Sequence, residues 1–206
     1  MKIFSVIGAI VFVMATLSFA EDMNIKEGKQ LSFSAHNHEL DNNDNFSSDG
    51  KYLCYDTRET IGVGIDHGTT IELLELSTGR EIVIYKPDEI VTGEEPAPGV
   101  GAVSFNFAVP EVAFIHGPPV SEVAERGPYG KPNRNGGCVT LDGEIVEKAG
   151  RWHMLTDAEY NFSWIDKRDI ATDRDTLPGA HRGGTHRHEY SRDGRRIGFT
   201  YDDFLL

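Results

Sequence analysis

Cationic residues are scarce in this sequence relative to acidic ones. Among its 206 residues are 20 Lys and Arg against 33 Asp and Glu, which gives a formal net charge of −13. A chain of that sign repels phosphate backbones and anionic lipid headgroups, which argues against nucleic acid or an anionic membrane as the partner. The hydrophobic fraction of 39% and the charged fraction of 26% are those of an ordinary globular protein rather than a disordered one.

Cysteine is nearly absent. Cys54 and Cys138 allow at most one disulfide, which the oxidising compartment reached by an exported protein would permit. Cys54 lies in the apolar run YLCY with no turn beside it. A lone cysteine in such a run is typically a small buried side chain. The sequence therefore favours two free thiols.

Familiar catalytic motifs are missing as well. The sequence contains no nucleophile elbow, no glycine-rich phosphate-binding loop and no zinc-protease motif. It also has no long run with helical periodicity. Its short apolar stretches are separated by Gly, Pro, Asn and Asp, which is typical of an all-β protein.

The first 20 residues have the pattern of a secretory signal peptide. Lys2 precedes an almost wholly apolar run that ends at Leu17, and small residues come before Glu21. The run is shorter than the about 20 residues that cross a membrane, so an uncleaved anchor is the lesser alternative. We expect cleavage after Ala20 and export of a soluble mature domain, residues 21–206, with no membrane span.

Three segments of the chain resemble one another. FSSDGKYLCYDT (residues 46–57) matches YSRDGRRIGFTY (190–201) in its aromatic residues, its serine and its Asp-Gly pair, and FNFAVPEVAFIH (105–116) is a weaker copy. An Asp-Gly pair between two apolar segments predicts a tight hairpin turn. The segment TIELLELSTGREIVIYKP (70–87) adds two strands around a turn at Ser77 to Gly79.

Four antiparallel strands per repeat are typical of a propeller blade, with a β-sandwich as the alternative. Closed propellers have at least about four blades. The repeats therefore predict an all-β partial propeller of about three four-stranded blades, read as the N-terminal part of a longer propeller. Its open strand edges would favour self-association.

The two clearest repeats resemble the WD-like repeat of TolB-type propellers. Together with the segments PGVGAVSF, FIHGP, YGKPNR and PGAHRGGTHRHEY, they are similar to a bacterial family of exported TolB-like proteins of unknown function. This resemblance implies a periplasmic β-propeller and does not specify a reaction.

In a blade, the loop that enters the first strand and the loop that leaves the second lie on the same face. Loops on a rigid scaffold commonly build binding sites, so polar residues of the three repeats should meet at one mouth of the channel. The predicted ligand-binding residues are His36, His38, Asp56, Arg58, His116, Arg182 and Asp202. The same loops contain Glu39, Asp41, His181, His186 and Asp203.

His186 and His188 lie two residues apart on a predicted strand, so their rings should face the same side. Two imidazoles in that geometry can hold one divalent metal, such as manganese, with further ligands from other loops. A histidine on an inner strand can equally be a hydrogen-bonding group without a metal, and both interpretations stay open.

Two functions agree with these features. The first is a binding module for a periplasmic protein or for a small-molecule or oligosaccharide ligand. The second, suggested by similarity to oligogalacturonate lyases, is a metal-dependent carbohydrate-active enzyme. In that enzyme His116 or His181 would be the catalytic base, and Arg182 would bind the acid group of the sugar. An inactive fragment is a third alternative.

Overall fold

The computed structural model describes residues 28–58, 64–156 and 160–202; the expected signal peptide and Asp203 lie outside them. The strands within these residues are, in chain order, β1 (Tyr52–Asp56), β2 (Ile71–Glu75), β3 (Arg80–Tyr85), β4 (Val100–Phe105), β5 (Glu111–His116), β6 (Asn135–Thr140), β7 (Glu144–Lys148), β8 (Arg151–Leu155), β9 (Phe162–Trp164), β10 (Lys167–Arg168), β11 (Ala180–His181), β12 (Gly184–Tyr190) and β13 (Ile197–Asp202). Helical structure in the same residues is limited to α1 (Val123–Arg126) and 3-10 turns at Ile65–His67, Val120–Glu122 and Lys131–Asn133. Among the residues described, no helix has the length and apolar character that crossing a bilayer requires.

The first sheet has the strand order β1-β2-β3-β8-β7 in the described part of the chain. β1, β2 and β3 are antiparallel, and the turn between β2 and β3 lies where the sequence predicts it. Gly79 in this turn has a φ of 74°, which glycine adopts without strain. The hairpin of β7 and β8 joins the sheet through parallel pairing of β8 with β3. The repeat pattern did not predict this addition.

The second sheet, in the order β4-β5-β6-β9, is antiparallel throughout. Its first two strands are the hairpin predicted from the weaker repeat. A third sheet pairs β12 with β13, the hairpin predicted from YSRDGRRIGFTY, and β10 and β11 form a short parallel pair. Sheets of five, four and two described strands thus take the place of uniform four-stranded blades.

The two Asp-Gly repeats form the same turn. In the first, Ser47 Oγ accepts a hydrogen bond from the backbone N–H of Tyr52 at 3.0 Å. In the second, Ser191 Oγ accepts one from the backbone N–H of Arg196, also at 3.0 Å. The glycine that follows the aspartate has a φ of 67° in the first turn and 68° in the second. The shared sequence therefore specifies a shared turn geometry.

The largest apolar core lies between the first and second sheets. It joins buried side chains of both: Cys54, Ile71, Leu73, Ile82, Val100, Val103, Val112, Phe114 and Val139. β12 of the third sheet lies against β4, β5 and β6. The protein is thus all-β, with sheets packed as in an open, partial propeller. Cys54 and Cys138, both within the described residues, are buried and free, as the sequence predicted.

Candidate functional site

The loop that leaves β1 contains a buried ion pair. Arg58 donates to Asp56 from Nε to Oδ1 at 2.7 Å and from Nη2 to Oδ2 at 2.5 Å, and the two side chains are 1% and 0% exposed. Asp56 Oδ2 also accepts the backbone N–H of Ala102, in the second sheet, at 2.8 Å. Asp41 lies 3.4 Å from Arg58 Nη1. Asp56 and Arg58, which were predicted to bind a ligand, therefore help to hold the first two sheets together.

His186 and Asp202, from the third hairpin, lie close to Arg134. Arg134 Nη2 is 3.4 Å from Asp202 Oδ2. Burial, followed by the positive charges of Arg134 and Arg187, lowers the pKa of His186 to about 4, while the carboxylate of Asp41 acts in the opposite direction. The carboxylate of Asp41, from the loop before the first repeat, is therefore close enough to the third hairpin to influence His186.

The prediction that His186 and His188 face the same side is wrong. β12 has a β-bulge between His186 and Glu189, and Arg187 within it has a φ of 58°. His188 lies in the same bulge, and its Nε2 is 2.9 Å from the hydroxyl of Thr185. Thr185 precedes His186 on the strand and so faces the opposite side from it. Metal binding by the two histidines stays a prediction, and this hairpin gives their rings no common face.

His188 instead joins a buried cluster around Asp166. Thr185 Oγ1 donates to Asp166 Oδ2 at 2.5 Å, and Asn135 Nδ2 donates to Oδ1 at 2.9 Å. His181 Nε2 and His188 Nε2 lie 3.3 Å and 3.8 Å from the same Oδ2. Burial opposes ionisation of Asp166, but the neighbouring imidazoles of His181 and His188 and the hydrogen bonds from Thr185 and Asn135 hold its pKa well below its usual range. The carboxylate of Asp166 raises the pKa of His181 against the effect of burial.

Arg182, the predicted clamp for an acidic ligand, lies against the loop between β10 and β11. Its Nη2 donates to the backbone carbonyl of Arg174 at 3.1 Å. Arg174 in turn donates from Nη1 to Asp169 at 2.6 Å. The structure therefore places Arg182 in a surface network and not beside His116.

His116 ends β5 with both ring nitrogens hydrogen-bonded. Nδ1 donates to the carbonyl of Gly117 at 2.6 Å, so Nε2 is the acceptor for the hydroxyl of Tyr85 at 2.8 Å. The side chain is 3% exposed, and burial lowers the pKa of His116 to about 4. His116 is therefore neutral near pH 7, but the lone pair that a catalytic base would use already accepts a hydrogen bond from the hydroxyl of Tyr85.

His116 and Tyr85 line a cavity of about 440 Å³, together with Phe162 and Trp164 of β9. Trp164 packs edge-on against His116 and Phe162, with ring centroids 4.9 Å and 5.0 Å away. It nevertheless stays 44% exposed. An exposed ring supported by other rings is a rigid apolar platform. A larger cavity of about 690 Å³ lies beside β3 and β8 and contains none of the residues predicted from the sequence.

Trp164 is also a wall of a second cavity, of about 480 Å³. This one is lined by charged and polar side chains: Glu122, Arg126, Asn135, Asp166, Lys167 and Arg168. Arg126 donates to Asn135 Oδ1 at 2.7 Å. The Nε atoms of Arg126 and Arg168 are buried, with no hydrogen-bond partner in the part of the chain that the structure describes. Water or a ligand typically satisfies such a donor.

His36 and His38 lie apart from these cavities. Their rings contact Tyr55, which faces the side of the first sheet opposite to Cys54 and the main core. The structure therefore does not gather all the predicted residues at one channel mouth.

The sequence patterns did not predict most of the residues around the two cavities. One signal was present: Phe162 and Trp164 are aromatic residues two apart, which share a face on a strand. Nothing local links them to His116, because that contact depends on the pairing of β9 with β6.

Comparison with known proteins gives a family and one curated relative. The sequence model of the family described as "Protein of unknown function (DUF3748)" matches residues 99–206. The uncharacterized protein YidR of Escherichia coli (strain K12) is 29% identical over 178 residues, which are 86% of this chain and 35% of YidR. The chain thus spans about a third of the length of this relative. No solved structure matches the chain. Neither description refers to TolB, so that classification stays a prediction.

Proposed function

The chain belongs to the DUF3748 family of proteins of unknown function, and we propose that it is a periplasmic binding module for a small acidic carbohydrate. A sugar ring would stack on Trp164, and its acid group would enter the cationic cavity. The observation that carries this proposal is that Trp164 forms a wall of both cavities. The proposal includes no covalent chemistry.

The aromatic cavity suits the apolar face of a sugar ring. Small-molecule pockets are typically apolar cavities of about 300–1,000 Å³ with a few polar groups, and this cavity of about 440 Å³ falls within that range. Trp164 is held by His116 and Phe162, so little side-chain freedom is lost when a ligand stacks on it.

The second cavity concentrates positive charge on a chain whose net charge is −13. Arg126, Lys167 and Arg168 outnumber the carboxylates of Glu122 and Asp166 in its lining. Guanidinium groups bind carboxylates well because their N–H donors match the two oxygens. The cavity is therefore expected to prefer an acidic sugar over a neutral one.

A metal-dependent lyase is the alternative function for the same cavities. The low pKa of His116, about 4, keeps the ring neutral as a base requires. However, β-elimination would first require the hydrogen bond from Tyr85 to His116 Nε2 to break, before that nitrogen could take a proton from the sugar. Binding alone needs no such rearrangement, which favours the binding module.

Trp164→Ala is expected to weaken the binding of an acidic oligosaccharide by at least about tenfold, or about 1.4 kcal/mol, because the stacking platform is lost. The probe is trigalacturonate, measured by isothermal titration calorimetry beside a neutral trisaccharide. Lys167→Gln should weaken binding of trigalacturonate and leave the neutral sugar unchanged.

The other tryptophan provides the matched control. Trp152 packs against the guanidinium of Arg80 and lines neither cavity, so Trp152→Phe should bind like the wild type. In that variant Trp164 is the sole tryptophan of the sequence. Its fluorescence should change as trigalacturonate is added and reach a plateau at saturation. Unchanged affinity in Trp164→Ala would contradict the site. Growth of short-wavelength ultraviolet absorbance, from a double bond conjugated to the carboxylate of the product, would favour the lyase.

A further inference from the structure

The segment that precedes the first repeat lies on the face of the first sheet away from the main core. Leu31 packs against Leu53 and Leu74 there. Further along the segment, the rings of His36 and His38 stack on each other, with centroids 4.8 Å apart and planes inclined by 24°. Two neighbouring imidazoles are therefore fixed above one face of the sheet.

Glu81, on β3, points its carboxylate at both rings. His38 Nε2 lies 3.0 Å from Glu81 Oε1, and His36 Nε2 lies 4.0 Å from Glu81 Oε2. One candidate ligand atom from each of the three residues lies within 4.8 Å of the other two. Zinc–ligand bonds of about 2.0–2.2 Å in a tetrahedron place ligand atoms about 3.3 Å apart. A small closing movement would thus complete a three-ligand site.

Hydrogen bonding accounts only partly for this arrangement. His38 has a normal hydrogen bond to Glu81, but His36 Nε2 lies 3.3 Å from Glu72, 3.5 Å from Ser34 Oγ and 4.0 Å from Glu81. All three separations exceed the about 2.7–3.2 Å typical of an N–H···O bond. None of these contacts is a short hydrogen bond, so Nε2 of His36 has a lone pair to offer a cation when its proton is on Nδ1.

The surroundings also favour a positive charge. Glu72 is 0% exposed and accepts hydrogen bonds from Tyr55 at 2.9 Å, Thr70 at 2.6 Å and Arg151 at 2.5 Å. Together with Glu81 it provides two carboxylates against one guanidinium, which leaves one negative charge in excess when the imidazoles are neutral. This excess of negative charge beside the two imidazoles attracts a cation.

We propose that His36, His38 and Glu81 bind one divalent ion of the zinc type. Imidazole nitrogens suit Zn²⁺, whereas Mn²⁺ suits sites built mainly from oxygen. The fourth position can be taken by water or by the hydroxyl of Ser34, which lies 3.4 Å from His38 Nε2. The ion would link the segment before the first repeat to β3, across 43 sequence positions, and so close a loop of the chain. This site does not depend on the proposed carbohydrate site.

The full chain is purified without a histidine tag and freed of metal. The test is its calorimetric titration with ZnCl₂. One equivalent of Zn²⁺ should bind, more tightly than Mn²⁺, and the unfolding temperature should rise with zinc concentration. His38→Ala and Glu81→Gln should each weaken Zn²⁺ binding by at least about tenfold. Glu81→Gln preserves side-chain size, and its circular dichroism spectrum verifies that the variant folds.

Two other histidines provide matched controls. His67→Ala removes an imidazole beside Asp66, and His186→Ala breaks the His186 and His188 pair that the sequence had suggested. Both variants should bind Zn²⁺ as the wild type does. The assignment is overturned by the absence of stoichiometric zinc, by equal affinity in Glu81→Gln, or by loss of zinc in His186→Ala.

Discussion

Replacing Arg58 with methionine is expected to lower the free energy of unfolding by about 3–5 kcal/mol. Arg58 and Asp56 are almost fully buried and share two side-chain hydrogen bonds, so methionine leaves a buried carboxylate without its counterion. The donors that remain to Asp56 among the described residues are the backbone N–H groups of Ala102 and of residue 58. Urea unfolding followed by circular dichroism gives the change in free energy.

Two further variants separate the buried charge from the loss of the arginine itself. Asp56→Asn combined with Arg58→Met removes both charges and should recover part of the loss, because no unpaired ion stays buried. Arg195→Met makes the same replacement at an exposed position beside the turn of the third hairpin and should leave the unfolding midpoint nearly unchanged. If Arg58→Met behaves like Arg195→Met, the ion pair does not brace the two sheets.

The hairpins could be predicted because their turns are determined locally. Ser47 and Ser191 each bond to a backbone N–H five residues later, and the intervening Asp-Gly pair supplies the positive φ that the turn needs. Every group required lies within one short segment. The all-β class and the repeat of the hairpin could therefore be read from the sequence.

The histidine pair on β12 shows why the site could be predicted only in part. On a regular strand His186 and His188 would share a face, but a bulge arises from the pairing of β12 with β13. The segment THRHEY does not contain that information. For the same reason, Glu81 could not be assigned to His38, which is 43 positions away, until the fold of the sheet was known.

The cavities around Trp164 were missed for a related reason. Their walls include residues of β3, β5, β6, β9 and β10 and residues around α1, and each of these segments looks like ordinary structure by itself. His116 was identified as a candidate, but its environment was not, since burial and the bond from Tyr85 depend on contacts between sheets.

Between pH 7 and pH 4 the folded protein is expected to lose about 3 kcal/mol of stability through His116 alone. Burial lowers the pKa of His116 from 6.5 to about 4, so between these values the unfolded chain binds a proton that the folded chain does not. The contribution of His116 is complete above pH 6.5 and is lost as the pH falls towards 4. Chemical unfolding at several pH values measures this effect. The difference in unfolding free energy between the wild type and His116→Gln should shrink by this amount as the pH falls from 7 to 4.

Tyr85→Phe tests whether burial, rather than the hydrogen bond, is the cause of this pH dependence. It removes the hydroxyl that donates to His116 Nε2 but keeps the ring that covers the imidazole, so stability should decrease at every pH while the loss between pH 7 and pH 4 persists. If the free energy of unfolding had the same pH dependence in the wild type and in His116→Gln, the low pKa of His116 would be contradicted. This result would also count against the proposed binding site, because a buried and neutral His116 supports the ring of Trp164 from 4.9 Å away.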